Sequence, residues 1–247
     1  MGIEIYQLVL VAIVTLGASY IQSISGFGFG IFAMVFLPHI LKYTEANVLS
    51  AILSTVASVF LMVALFRRIH WKNLIFPVLG SVVSGYFAIL FVKSAEQKWL
   101  ILLLGIALFL LSLYFFFFSH RIRIRPSWYA GLVAGVLSGV LSGLFSMGGP
   151  PVVIYYLQSE EDTDTYLASL SAYFILSGAV AIAMKIGAGF VTVGVLWAMA
   201  VGAVFMTAGA LLGRFTRARI DPKYVKKIIY AIMAVSGIVN VTTALLP

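Results

Sequence analysis

The sequence predicts an all-α, polytopic helical membrane protein, organised as two inverted repeats that each hold a broken re-entrant helical hairpin and three full transmembrane helices. Three observations lead to this class. Hydrophobic residues make up 62% of the 247 residues against 10% charged, and mean hydropathy is +1.10, far outside the soluble globular range. The apolar runs are helix-length and lack the period of two that barrel strands would show. Two stretches, Ser25-Gly26-Phe27-Gly28-Phe29-Gly30 and Ser142-Gly143-Leu144-Phe145-Ser146-Met147-Gly148-Gly149-Pro150-Pro151, break hydrophobic segments with glycine. Inside a bilayer, backbone interrupted in this way can face a ligand instead of its own helix.

The elements follow in chain order. The first apolar run, 5–24, has Glu4 as the only charge before it and no lysine or arginine until Lys42, so it reads as a retained segment and not a signal peptide. It joins 28–41 through the first glycine stretch. Runs 46–66, 73–92 and 98–118 each reach the roughly 20 residues that a span requires. Residues 119–127, carrying Arg121, Arg123 and Arg125 and ending near Pro126, read as a linker on the inner surface. Run 128–145 joins 150–157 through the second glycine stretch, and 166–184, 191–212 and 224–246 complete the chain. The second leg of each pair is too short to cross comfortably. The division is therefore an N-terminal repeat, 1–118, with hairpin 5–41; the linker; and a C-terminal repeat, 128–247, with hairpin 128–157. Trp71, Trp99, Trp128 and Tyr129 lie at run ends and read as interface anchors.

Basic residues decide whether each pair returns to its starting side. If both do, one side holds Arg67, Arg68, Lys72, Arg121, Arg123, Arg125, Arg214, Arg217, Arg219, Lys223, Lys226 and Lys227, and the other Lys42, Lys93, Lys98 and Lys185, a split of 12 to 4. Single crossings give 7 to 9. The positive-inside rule selects the hairpins and puts both termini outside a cell (inner) membrane. Three spans per half is odd, so the second half starts from the opposite face. Ordered echoes support duplication: Ser25-Gly26 with Ser142-Gly143, Leu49-Ser50-Ala51 with Leu170-Ser171-Ala172, and Glu96-Gln97-Lys98-Trp99 with Asp221-Pro222-Lys223-Tyr224.

Cysteine is absent, which removes disulfides, thiolate catalysis and cysteine metal sites. The +8 charge lies between apolar runs, so its partner is anionic lipid and not nucleic acid. No charge falls near the centre of a run, and Lys185 comes closest; an intramembrane carboxylate relay is missing. An anion can still be held without a cation, because helix N-termini present unpaired N–H groups and glycine lets them approach. Both short legs begin just after glycines, and Pro150 suits a first helical turn. The candidate substrate-binding residues are Ser25, Gly26, Gly28, Gly30, Ser142, Gly143, Ser146, Gly148, Gly149 and Pro150, with Gln22, Ser23 and Tyr173 secondary. Gly131, Gly135, Gly139 and Gly143 recur every fourth residue, a stripe suited to helix packing. A potassium-type filter would need a symmetric ring of chains. A serine nucleophile at Ser146 would need a nearby base, and His39, His70 and His120 all lie at run ends or in loops. No Walker lysine follows either tract. An enzyme is not expected, and neither cofactor nor metal is implied.

At these residues the chain resembles the TauE/SafE sulfite exporter family, also called TSUP: Ser-Gly-Phe-Gly-Phe-Gly in the first hydrophobic segment, Gly-Gly-Pro at 148–150 opening the second half, and basic connections between. The resemblance implies a transporter of small sulfur-containing anions, sulfite or organosulfonate, coupled to the proton gradient. The reading is a secondary transporter exporting such an anion by alternating access around the two broken helices. A passive anion channel on the same helix ends, or a membrane subunit without transport of its own, are the alternatives.

Overall fold

The structure is a computed structural model describing residues 3–117, 125–160, 162–216 and 222–245, without the side chains of Ser25, Phe60, Leu61, Ala64 and 222–226. Most of the linker, including Arg121 and Arg123, lies outside the described residues, as do Glu161, Arg217, Arg219 and Asp221. Ten α-helices occur among the described residues: α1 (Ile5–Ser25), α2 (Phe29–Phe36), α3 (Tyr43–Leu65), α4 (Ile75–Ser94), α5 (Gln97–Phe117), α6 (Trp128–Phe145), α7 (Gly149–Ser159), α8 (Thr163–Gly187), α9 (Val193–Thr216) and α10 (Pro222–Leu245). Short 3-10 turns follow α2 and α3 and precede α4. Seven helices are long and apolar enough to cross a membrane. At 23 residues α3 has the length as well, whereas the 8 residues of α2 and 11 of α7 rise only about 12 and 16 Å. The chain is therefore a multi-pass membrane protein with two short legs where the sequence places them.

Local signals fix the helix ends. Ser127 caps α6 by accepting from the Ala130 N–H at 3.2 Å. Asp162 caps α8: Oδ1 accepts from the Asp164 and Thr165 N–H groups, each at 2.9 Å, and Oδ2 from the Thr165 hydroxyl at 2.7 Å. The end of α7 is tied to the α3–α4 connection, where His70 Nδ1 lies 2.6 Å from Glu160 Oε2 and Asn73 Nδ2 donates to Oε1 at 3.1 Å.

Four pairings build the bundle: α1 with α9, α4 with α6, α3 with α8, and α5 with α10. Exchanging α1–α5 for α6–α10 leaves these pairings unchanged. The partners α3 and α8 form the middle layer, and α8 is buried on every side from Thr165 to Tyr173. Peripheral helices instead turn large apolar side chains outward, among them Ile13, Phe87, Leu110, Val133, Val204 and Val235, a surface suited to lipid and not water. Trp71, Trp99, Trp128 and Tyr129 are about half exposed or more at helix ends.

Glycine sets how closely the pairs approach. A Cβ at Gly135 would run into the Pro77 carbonyl, one at Gly139 into that of Ser81, and one at Gly143 into Ala88 and the Gly85 carbonyl, so the α6 stripe lies directly on α4. On the other flank Gly209 and Gly213 of α9 meet the backbone of Leu16 and Tyr20. Gly105 and Gly237 face each other between α5 and α10.

Gly135→Val should therefore cost about 1–3 kcal/mol through overpacking and lower the thermal midpoint in detergent, while Gly187→Ala, with nothing within 4 Å of its added Cβ, should leave it unchanged. Bonds from the Thr165 backbone, then its hydroxyl, hold the Asp162 carboxyl below the usual carboxylate range. Its stabilisation should be complete above pH ~4, where an unfolded aspartate ionises, and should vanish as pH falls through the lowered folded value. A pH series of melting curves checks this, and Asp162→Asn should flatten that acid limb.

Candidate substrate site

Each hairpin tip is a helix C-terminus turned sharply into a helix N-terminus. In the first, the Gly26 N–H bonds the Gln22 carbonyl at 2.8 Å with φ 81°, and Gly28, at φ 111°, precedes α2. Two left-handed residues in three make glycine the fitting choice. In the second, the left-handed residue is Ser146, at φ 53°. Its side chain holds the strained backbone: Oγ donates to the Asn47 carbonyl at 2.7 Å and accepts from Lys185 Nζ at 2.7 Å.

The tips meet. Gly30, in the first turn of α2, presses against the Ser146 carbonyl so closely that a Cβ would not fit, and Gly149 faces Phe27 and Phe174 across space where a Cβ would lie 3.6 Å from each ring. Between them lies a cavity of about 60 Å³, room for a few waters or one small oxyanion. Eight of the residues singled out from sequence line it: Gln22, Gly28, Gly30, Ser142, Ser146, Gly148, Gly149 and Tyr173. Ser54, Thr55, Ser58 and Ser138 add hydroxyls.

The remaining candidates fall elsewhere. Ser23 and Gly26 line a second cavity of about 510 Å³, alongside Ser19, Asp164, Thr207 and Arg214; Gln22 borders both. Gly143 belongs to the packing stripe against α4, and Pro150 is buried in the first turn of α7, away from the cavity lining. The Ser25 side chain lies outside the described residues.

The donors divide unequally. No side chain caps α2 or α7. The first turn of α2 offers the N–H groups of Phe29, Gly30 and Ile31, whereas Pro150 and Pro151 have none, leaving α7 with Gly148 and Gly149. Most hydroxyls are engaged: Tyr173 donates to Ser138 Oγ at 2.7 Å, Ser138 donates to the Gly148 carbonyl, and Ser54 and Ser58 bond back to their own helix. Gln22 Nε2 reaches Ser58 Oγ at 3.4 Å. Neither Ser142 Oγ nor Thr55 Oγ1 has a hydrogen-bond partner among the described residues, so both hydroxyls can turn toward a ligand.

The structure adds a buried basic side chain beside the cavity. Lys185 lies in the last turn of α8 and is fully buried, with Nζ donating to Ser146 Oγ and, at 3.2 Å, to the Ser142 carbonyl. It sits one hydroxyl away from the cavity. Asn47 Nδ2 and the Tyr43 hydroxyl complete the cap of α6, donating to the Leu144 carbonyl at 2.8 and 2.7 Å. A signal for Lys185 exists in the sequence: Ile186, Ala188, Phe190 and Val191 continue the apolar run beyond it, and the turn glycine is Gly189, at φ 84°.

Gly30→Ala should push the tips apart and cost about 1–3 kcal/mol, visible as a lower thermal midpoint. Gly149→Ala, meeting only ordinary contacts, should melt close to the unmodified protein.

Comparison with curated proteins and with solved structures gives no match. A family model described as Sulfite exporter TauE/SafE matches residues 11–239, which is nearly the whole chain and includes both hairpin tips and every residue of the cavity. The chain belongs to the sulfite exporter TauE/SafE family.

Proposed function

We propose that the protein is a secondary transporter that exports a small sulfur-containing anion, sulfite or an organosulfonate, from the cell across the inner membrane, with both termini outside. The observation that carries this reading is the single small cavity to which both glycine tips contribute. Backbone N–H groups of Gly28, Phe29, Gly30, Gly148 and Gly149 and the Ser142 hydroxyl would receive the oxygens, a donor set that suits an oxyanion.

Transport would proceed by alternating access of two inverted repeats, residues 1–118 and 128–247, joined by the inner linker. The exchange-symmetric helix pairing supports this division. The larger cavity, bordered by Arg214 and Asp164 and sharing Gln22 with the site, would open toward the cytoplasm and serve as the vestibule through which the anion arrives. Removing the buried Lys185 from the charge count sharpens the bias to 12 against 3. Proton coupling belongs to the same proposal.

Purified protein in liposomes provides the test. Sulfite-loaded vesicles should show saturable efflux and counterflow, and Gly149→Val, which fills the cavity, should abolish both while the protein stays folded in detergent. Conductance without counterflow would favour the passive channel, and absence of any flux would overturn transport by this chain alone.

A further inference from the structure

We propose that Lys185 links anion binding to proton uptake: its side-chain nitrogen takes a proton as the anion occupies the cavity and gives it up as the anion leaves. The inference rests on the cavity being the anion site, and it deepens that reading by naming where the proton resides. Lys185 is fully buried. Its nitrogen donates to two acceptors, Ser146 Oγ and the Ser142 carbonyl, and both of those residues line the cavity. A neutral amine has two N–H bonds to give, which these acceptors satisfy. An ammonium has a third, and Nζ makes only these two hydrogen bonds among the described residues.

A buried ammonium needs a counter-anion, and the titratable groups around it do not provide one. At this end of α8, α3 brings Tyr43 and Glu45, and α4 brings Lys93. The Tyr43 hydroxyl donates to the Leu144 carbonyl, while Glu45 is engaged by the Thr192 hydroxyl at 2.9 Å and the Lys42 N–H at 3.4 Å. Tyr129 of α6 and Tyr155 and Tyr156 of α7 lie toward the other end, as do Glu160 and Arg68. Asp164, on α8 itself, is about 31 Å away along the helix. An anion seated at Ser142 and Ser146 would be the nearest negative charge.

The step balances simply. The Nζ lone pair accepts one proton from water on the side to which the site is open, no other bond changes, and amine becomes ammonium. A monoanion with this ammonium forms a neutral pair. By reciprocity, protonation strengthens anion binding by the same factor that anion binding strengthens protonation. A chain without an intramembrane carboxylate relay thus acquires a proton-carrying group on the helix packed behind its substrate site.

Isothermal titration calorimetry of the whole purified protein tests this, using methanesulfonate, which stays a monoanion and brings no proton. Titrations in buffers of different ionisation heat read proton uptake directly. The unmodified protein should take up as much as about one proton per anion under alkaline conditions, declining as pH is lowered. Lys185→Arg, which stays charged, should bind with no linked uptake, and Lys185→Met should bind at least about tenfold more weakly, also without uptake. Absence of uptake in the unmodified protein at every pH from about 6 to about 10 would overturn the proposal, as would uptake persisting in either variant. Should both variants fail to fold, the unmodified protein decides alone. If only sulfite binds, its own proton is subtracted from a titration of the free anion. Failure of both anions to bind the unmodified protein would remove the anion site itself, and this inference with it.

Discussion

Every backbone N–H and C=O placed in the interior of a bilayer must find a partner inside the protein, and this chain buries four helix ends around one small space. Two are C-termini, of α1 and α6, and two are N-termini, of α2 and α7. The α6 C-terminus is closed by side chains of the protein, and at α1 the bond shown is one backbone contact. Gly26 turns its N–H back onto Gln22, and Lys185, Asn47 and Tyr43 donate to the last carbonyls of α6. The N-termini have no side-chain cap, so their donors and partial positive charge are left for whatever occupies the cavity. The spare donors of the two N-termini set the polarity of the site.

The two proposed repeats would share a plan without sharing chemistry. Each uses one left-handed residue to end its long leg, glycine at 26 and serine at 146, and each packs a glycine-bearing helix on its neighbour's backbone. At the offset that aligns Leu49-Ser50-Ala51 with Leu170-Ser171-Ala172, however, Lys185 corresponds to Ala64. Prolines further strip N–H groups from α7 but not from α2. The α2 tip is thus the richer in backbone donors, and the α6–α7 tip has Lys185 behind it.

Much of this was legible in the sequence because length and hydropathy are sums along the chain. Run 128–145 coincides with α6, and 28–41 and 150–157 fail as spans in the structure as they do on paper. That the broken legs come together follows from the same facts: short helices ending inside a bilayer have to bury their ends against something. What a linear reading misses is direction. Lys185 terminates an apolar run only if helices stop where hydropathy first falls; α8 continues to Gly187, and the facing α6 carbonyls supply the polar contacts that let a lysine lie buried. Gly143 belongs to both the glycine tract and the every-fourth-residue stripe in the sequence, and in the structure it packs against α4. Ser23 faces the larger cavity because it lies about 100° round α1 from Gln22, and the left-handed turn at Gly26 separates that residue from Gly28.

The central claim is that the two glycine tips together hold one oxyanion. Selenite, the selenium counterpart of sulfite, makes this directly observable through anomalous X-ray scattering from crystals of the protein grown with it. The account predicts a single selenium peak within hydrogen-bonding reach of Gly30, Ser142 and Gly149, on the cavity side of Ser146 and Lys185. Selenium located only in the larger cavity near Arg214, or a central cavity left unoccupied at saturating selenite, would contradict it.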